Sequence, residues 1–276
     1  MIITVVGLGV VGGSFVKALK GQSHEVYGID IDEKTLQMAK NEGTIIEGFT
    51  DGKEIIAQSD LTIICLYPSL VLKFIKEINL KKEVSLHDAV GIKSYFLEEA
   101  MTIIDPEVEF VSGHPMAGRE KKGYGYASKE VFKNANYILI EHPVNQKECI
   151  SFMERFVGTL GFKSVKIMSP QAHDEIISFT SQLPHAIAVS LINSDNEKYE
   201  TGKYIGDSYR DLTRIANINE NLWSELFLRN SDYLLASIEA FEEQLDLIKV
   251  ALKDNDERLL KDLFIKSSLR REKLEK

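Results

Sequence analysis

The sequence predicts an α/β domain with a parallel sheet over residues 1–168, followed by an all-helical domain over residues 169–276. Three observations predict this division. In the first part, short apolar segments rich in β-branched residues alternate with helical patterns, as they do in βαβ units. After it, no segment has a convincing strand pattern. Ser169 before Pro170 is a typical helix start, because serine caps a helix and proline suits its first turn.

The composition is that of an ordinary globular protein. Hydrophobic residues make up 44% and charged residues 27% of the chain, which excludes collagen-like and disordered classes. A net charge of -9 argues against nucleic-acid binding. Two cysteines, Cys65 and Cys149, cannot form a disulfide framework and are expected to be reduced packing residues. Neither a membrane span nor a signal peptide is apparent, so we expect a cytoplasmic protein.

The expected strands and helices follow from the spacing of the apolar residues. The expected strands are residues 1–6, 24–30, a short one near 45–46, 61–66, 84–87, 109–112, 137–140 and 164–167. The expected helices of the first domain are residues 15–20, 33–41, 54–58 and 69–78. Parallel strands with helical crossovers leave a ligand site at the carboxyl ends of the strands.

One long helix of the second domain has an apolar seam with steps of four and three residues. Its members are Leu234, Ile238, Phe241, Leu245, Ile248 and Leu252. A seam of this period is typical of helices that pack along one another. It is compatible with packing inside one chain and with a helix shared between two chains.

A glycine motif between the first strand and the first helix predicts a dinucleotide site. Gly7 permits the tight turn, Gly9 lets the backbone approach a pyrophosphate, and Gly12 allows close packing of helix and strand. Asp30 follows at about the expected 20 residues and can accept both ribose hydroxyls. A 2′-phosphate would be repelled there, so NAD is favoured over NADP. Asp32 is a weaker alternative, because a helix-start role explains it as well.

The residues expected to contact the cofactor lie in the turns after the first, second and fourth strands. They are Gly7, Leu8, Gly9, Val10, Val11, Gly12, Asp30, Leu66, Tyr67 and Pro68.

Histidines and arginines in the middle of the chain supply candidate chemistry. The four candidate histidines are His87, His114, His173 and His185. A lone histidine is usually structural, but His114 ends a strand and is surrounded by Gly113, Pro115 and Gly118, so its backbone is specialised. A histidine there can act as a general base while a cofactor takes hydride.

Two further segments combine a structural interpretation with a functional one. Pro184 stands inside a helical pattern, where a structural kink explains it without any function. Arg210 and Arg214 could clamp a carboxylate, or could form surface ion pairs with Asp207 or Asp211.

Four motifs occur in one order that resembles the prephenate/arogenate dehydrogenases of tyrosine biosynthesis. They are GLGVVGGS at 7–14, GHPMAG at 113–118, SQLPH at 181–185 and RDLTRIA at 210–216. The resemblance spans nearly the whole chain. It implies a Rossmann domain, a helical domain that forms a homodimer, NAD as cofactor and no metal.

The resemblance also implies an activity and roles for individual residues. The activity is oxidative decarboxylation of prephenate to 4-hydroxyphenylpyruvate, with His114 acting on the ring hydroxyl. Arg214 matches the arginine that binds a substrate carboxylate, and His185 matches a second substrate histidine. Trp223 falls where the family can place a site tryptophan, although core packing also explains it. Arg210 is the further candidate for substrate binding.

The sequence departs from the family pattern at two positions. Gly91 stands where many relatives have serine in a D-x-x-S-x-K segment, and Ser94 is out of register to replace it. Asp207 stands in a run that is usually glycine-rich, and it could attract the amine that arogenate carries. Arogenate dehydrogenase, another Rossmann-plus-helical dehydrogenase and a non-catalytic NAD-binding regulatory protein therefore stay as alternatives.

Overall fold

The computed structural model describes residues 1–78, 85–118 and 121–274. The strands in this part are β1 (Ile2–Val6), β2 (Glu25–Ile29), β3 (Gly48–Phe49), β4 (Leu61–Ile64), β5 (Ser85–Asp88), β6 (Glu109–Pro115), β7 (Asn136–Ile140) and β8 (Ser164–Met168). The helices in this part are α1 (Val10–Leu19), α2 (Glu33–Asn41), α3 (Lys53–Ile56), α4 (Pro68–Ile78), α5 (Ser94–Ile103), α6 (Lys147–Gly158), α7 (Pro170–Ile177), α8 (Leu183–Asn193), α9 (Asp207–Thr213), α10 (Glu220–Arg229), α11 (Ser231–Lys253) and α12 (Glu257–Leu274).

These strands form one sheet in the order β3-β2-β1-β4-β5-β6-β7-β8. Strands β1 to β6 pair in parallel, which confirms the predicted Rossmann-type sheet. The order reverses between β1 and β4, and ligands of such sheets bind at that switch point. The sheet is not parallel throughout, because β7 runs antiparallel to β6 and β8 follows the direction of β7. The carboxyl ends of β1, β4, β5 and β6 therefore meet at one edge.

Two local predictions were wrong. The short strand expected near residues 45–46 is β3, at Gly48–Phe49, although the Ile46 N–H already bonds the Val26 carbonyl at 2.7 Å. The first helix begins at Val10 instead of residue 15, because the glycines after Gly9 continue the helix and do not extend the turn. Val84, the first residue of the expected fifth strand, lies outside the described residues.

Alternate residues of the strands pack against helices on opposite faces of the sheet. In β7, Tyr137 and Leu139 join the apolar cluster beneath α1 and α6, and Ile138 and Ile140 join the cluster beneath α4 and α5. Residues of α7 and α10 belong to the second cluster. The helical part of the chain therefore packs on the α4/α5 face, next to the carboxyl edge of the sheet.

After β8, the described residues 169–274 form helices and the connections between them. The Ser169 side chain accepts from the Ala172 N–H at 3.2 Å and Pro170 begins α7, as predicted. Ahead of Pro184, residues Ser178–Gln182 form a π-helical turn, which accommodates the proline between α7 and α8. Within the described ranges, no helix has the length and apolar character needed to cross a membrane.

Candidate functional site

The turn between β1 and α1 has the shape of a phosphate cradle. Gly7 has φ +82, and a Cβ there would lie 2.7 Å from the Cys65 carbonyl oxygen. A Cβ on Gly12 would lie 2.0 Å from the Gly7 oxygen, so helix and strand approach too closely for any side chain. A Cβ on Gly9 would meet nothing within 4 Å. The backbone at Gly9 is thus open to a ligand at a helix N-terminus, where anions bind favourably.

Asp30 follows β2 directly and is anchored to the same turn. Its carboxylate accepts from the Leu8 N–H at 2.7 Å and from the Asp32 N–H at 2.9 Å. Both oxygens keep acceptor capacity for ribose hydroxyls. Asp32 instead caps α2, accepting from the Lys34 N–H at 3.1 Å. Ile31, which the sequence analysis did not single out, is 95% exposed beside Asp30 and offers an apolar surface to a ligand.

The turn after β4 is tied to helix α10. The exposed Tyr67 accepts at its hydroxyl from the Asn219 amide at 2.7 Å. The Glu225 carboxylate accepts from the Ser69 N–H at 2.8 Å and from its hydroxyl at 3.1 Å. Leu66 leads into this turn and Pro68 begins α4. The predicted cofactor turn and α10 are thereby held together across the two parts of the chain.

A fully buried lysine fixes the ends of β5 and β6. Lys93 Nζ donates to Asp88 Oδ1 at 2.7 Å, to Ser112 Oγ at 2.8 Å and to the Gly113 carbonyl at 2.6 Å. These three bonds use all three ammonium hydrogens. Burial lowers the pKa of Lys93, and the Asp88 carboxylate raises it in part. The backbone on the N-terminal side of His114 is consequently rigid.

His114 is hydrogen-bonded to a second histidine. Its Nδ1 lies 2.9 Å from Nε2 of His173, and Nδ1 of His173 lies 2.7 Å from Asp174 Oδ1. The Asp174 carboxylate also accepts from the backbone N–H groups of Lys93 and Ser94, at 2.9 and 2.7 Å. His173 is fully buried, whereas His114 is half-buried.

The other nitrogen of His114, Nε2, lies toward Gly91 and Leu226. A Cβ on Gly91 would lie 3.7 Å from His114 Nε2 and 3.3 Å from Leu226 Cδ2. Burial, followed by the neighbouring His173 and Lys93, holds the pKa of His114 well below its usual range. The ring is therefore neutral near pH 7 and can accept a proton on Nε2.

His185 and Trp223 pack against each other in the helical part of the chain. Their rings stack with centroids 3.7 Å apart, and Nδ1 of His185 bonds the Ser181 carbonyl at 2.8 Å. Trp223 lies on α10 one turn before Leu226, which faces Gly91. The π-helical turn before α8 thus places His185 against the helix that borders His114.

The two arginines occupy different local structures. Arg210 is exposed on α9, and its backbone N–H bonds the Gly206 carbonyl at 3.1 Å. Arg214 begins a 3-10 turn, Arg214–Ala216, against which α8 packs. The helix that carries His185 therefore supports the Arg214 turn.

His87, one strand away from His114, has a different environment. Its Nδ1 bonds the Val111 carbonyl and its Nε2 bonds the Tyr137 hydroxyl. Burial lowers its pKa to about 4. Both ring nitrogens are used inside the core, so His87 supports the sheet.

The sequence drew attention to His173 but gave it no role, and Asp174 and Lys93 were not among the predicted site residues. The available signal was the His-Asp pair at the start of α7, but His114 and His173 are 59 positions apart in the sequence, which hides their contact. Among the described residues, no group of three or more histidine, cysteine or acidic side chains could hold a metal ion.

Comparison with protein families gives two adjoining matches. Residues 15–166 match the model described as prephenate dehydrogenase, nucleotide-binding domain. Residues 169–266 match the model described as prephenate dehydrogenase, dimerization domain.

Individual relatives agree with these matches. The chain is 28% identical over 267 residues to the prephenate dehydrogenase of Bacillus subtilis, covering 92% of this chain and 71% of the relative. It is 25% identical over 277 residues to the cyclohexadienyl dehydrogenase of Zymomonas mobilis, covering 96% and 93%. A solved prephenate dehydrogenase from Aquifex aeolicus, in complex with hydroxyphenyl propionate and NAD+, aligns with a TM-score of 0.88 and 28% identity, covering 99% of this chain and 98% of that one.

Proposed function

The chain belongs to the prephenate dehydrogenase family, and on that premise we propose that it oxidatively decarboxylates prephenate to 4-hydroxyphenylpyruvate with NAD. The observation that carries the proposal is His114. Its Nδ1 is hydrogen-bonded to His173, and its Nε2 lies toward Gly91 at the carboxyl edge of the sheet. That is where a base can meet a substrate next to a bound dinucleotide.

The cofactor is NAD, and the residues at the β1–α1 turn fit it. The open backbone at Gly9 would receive the pyrophosphate, and the Asp30 carboxylate would accept the ribose hydroxyls. The other proposed contacts are Gly7, Leu8, Val10, Val11, Gly12, Leu66, Tyr67 and Pro68. Asp30 would repel a 2′-phosphate, which supports NAD over NADP.

His114 acts as the proton acceptor in this proposal. NAD, when bound, accepts the hydride that leaves the ring carbon. The hydroxyl group on that carbon gives its proton to Nε2 of His114. The imidazole can accept it because its low pKa keeps the ring neutral beforehand. As carbon dioxide leaves and the ring becomes aromatic, the same proton returns to the ring oxygen. The steps balance without a net proton and without a metal.

The substrate residues come from the helical part of the chain. Arg214 is proposed to bind a substrate carboxylate, because its planar guanidinium matches carboxylate geometry. His185 and the stacked Trp223 would border the substrate, with the His185 Nδ1 already occupied by the Ser181 carbonyl. Arg210 is proposed as an outer contact, since it is exposed on α9.

We also propose the domain boundary between residues 168 and 169 and a homodimer formed by the second domain. Strand β8 ends at Met168, and Ser169 caps the next helix. Apolar side chains of α11 and α12 are exposed in the single chain. They include Leu235 at 56%, Leu245 at 46%, Leu252 at 64%, Phe264 at 59% and Ile265 at 58% exposure. A second copy would cover such a surface.

Arogenate is the second candidate substrate, favoured by Asp207. This acidic residue is exposed at the start of α9, three residues before Arg210, and could attract the amine of arogenate. Selectivity between prephenate and arogenate in the wild type and in Asp207→Gly tests this. Unchanged selectivity would remove Asp207 as the determinant.

The deciding experiment measures NADH formation by the purified protein with each substrate and with NAD or NADP. We expect turnover with prephenate and NAD. Turnover confined to arogenate would transfer the proposal to that substrate. NAD binding without turnover of either substrate would overturn the proposed activity and favour a non-catalytic, NAD-binding role.

A further inference from the structure

We propose that His173, oriented by Asp174, fixes the tautomer of His114 so that Nε2 is the unprotonated nitrogen facing the substrate. The proposal rests on the proposed function and adds a positioning residue to it. His173 bonds the Nδ1 side of His114, away from the Nε2 that lies toward Gly91. It acts through the hydrogen bond to His114.

Asp174 is the fixed end of this chain of hydrogen bonds. Its carboxylate accepts two backbone N–H bonds from the start of α5 and sits 2.7 Å from Nδ1 of His173. Burial raises the pKa of Asp174, but the hydrogen bonds from His173 and Ser94 outweigh it and leave the pKa below its usual value. The carboxylate is therefore ionised and can only accept. Nδ1 of His173 must then carry the hydrogen.

The state of His173 determines the next bond. His173 is fully buried, and burial is the largest cause that lowers its pKa, so the ring is neutral. A neutral imidazole with its hydrogen on Nδ1 has a lone pair on Nε2. That lone pair lies 2.9 Å from Nδ1 of His114. The pair is satisfied when Nδ1 of His114 donates the hydrogen.

The consequence is a defined base. With its hydrogen on Nδ1, neutral His114 has its lone pair on Nε2, the atom that lies toward Gly91. The charged groups that face this histidine pair are Lys93, Asp88 and Asp174. Burial first, and Lys93 in addition, lower the pKa of both rings, so both are neutral near pH 7. In catalytic triads a carboxylate orients the catalytic histidine directly. Here a second imidazole, that of His173, stands between the carboxylate of Asp174 and His114.

Two substitutions of His173 separate the two hydrogen bonds. In His173→Gln, the side-chain amide reaches the place of the ring Nε2, so its oxygen can accept from His114 Nδ1. In His173→Asn, the amide reaches the place of Nδ1, so it can donate to Asp174 but leaves His114 without its acceptor. His142→Asn, in the loop after β7, is the matched control for the loss of a histidine.

We expect His173→Gln to stay close to the wild-type kcat. We expect His173→Asn to lose at least about tenfold in kcat, because the wrong tautomer of a catalytic histidine impairs proton transfer. KM for substrate and NAD should stay within about twofold in both variants, because ground-state binding is unchanged. Equal kcat in the two variants, or a rise in KM with kcat unchanged, would contradict the proposal.

A direct measurement keeps the question decidable if the variants do not fold. The chain has 6 histidines, so nitrogen-15 NMR of histidine-labelled wild-type protein can be assigned by single substitutions. We expect His114 protonated on Nδ1 and unprotonated on Nε2 near pH 7. A neutral ring protonated on Nε2, or a charged ring, would overturn the proposal. This readout needs no substrate, so failure of prephenate turnover in the wild type would count against the proposed function alone.

Discussion

His87 and His114 stand on neighbouring strands, yet the protein uses them differently. His87 ends its hydrogen bonds inside the sheet, with one ring nitrogen on the Val111 carbonyl and the other on the Tyr137 hydroxyl. In His114, only Nδ1 is hydrogen-bonded to His173, and Nε2 lies toward Gly91. Burial lowers the pKa of both rings, so a shifted pKa does not distinguish them.

The difference lies in what remains for a ligand. A buried histidine with both nitrogens bonded adds stability to the core, and leaving either partner unsatisfied is costly. A histidine with one nitrogen oriented and the other exposed to a cleft is prepared for proton transfer. The same contrast separates the Lys93 ammonium, whose three bonds are all internal, from the base that it helps to position.

Replacing His114 should have the largest effect on turnover. We expect His114→Asn to lower kcat by about 10²- to 10⁴-fold, the range for removal of a general base. NAD affinity, measured by calorimetry, should change little, because the proposed cofactor contacts lie at the β1–α1 turn and after β2 and β4. Loss of NAD binding in this variant would mean that the role of His114 is misassigned.

Removing a hydrogen-bond partner of His87 should lower the stability of the protein and leave turnover unchanged. Tyr137→Phe leaves Nε2 of His87 buried without its partner, which costs about 1–3 kcal/mol. Urea unfolding near neutral pH measures this loss. The kcat of the folded variant should match the wild type. A drop in kcat with unchanged stability would show that the His87 network also serves the reaction.

Local signals in the sequence account for what could be predicted. The glycine turn and Asp30 were predictable, because turn, helix start and acid follow one another along the chain. The reversal of β7 and the start of α1 at Val10 were not, since strand direction and helix extension depend on packing. The contact between His114 and His173 was also hidden, because it joins the end of β6 to a helix of the other part of the chain.

The pH dependence of turnover should follow the protonation of His114. His114 is a base only when neutral, and burial next to His173 and Lys93 lowers its pKa. Activity is therefore retained as pH falls past the ordinary histidine value of about 6.5 and is lost only on passing the lower pKa of His114. A profile of kcat/KM against pH measures this. An acid limb at or above about 6.5 would contradict a His114 that is neutral near pH 7.

The smallest effect is expected from a serine hydroxyl placed next to Nε2 of His114. In Gly91→Ser, the new Cβ would lie 3.7 Å from His114 Nε2, so a hydroxyl could reach hydrogen-bonding distance of the ring or of the substrate hydroxyl. The Cβ would also lie 3.3 Å from Leu226 Cδ2, the flexible end of a side chain that must shift by a few tenths of an ångström.

A neutral hydrogen bond adds about 0.5–1.5 kcal/mol, so we expect KM for prephenate to fall about two- to tenfold with kcat nearly unchanged. Gly91→Ala is the matched control, because it brings the same Cβ without the hydroxyl. If the serine and alanine variants have the same KM, the hydroxyl adds no substrate contact. The site then functions with glycine because Nε2 of His114 alone meets the substrate hydroxyl.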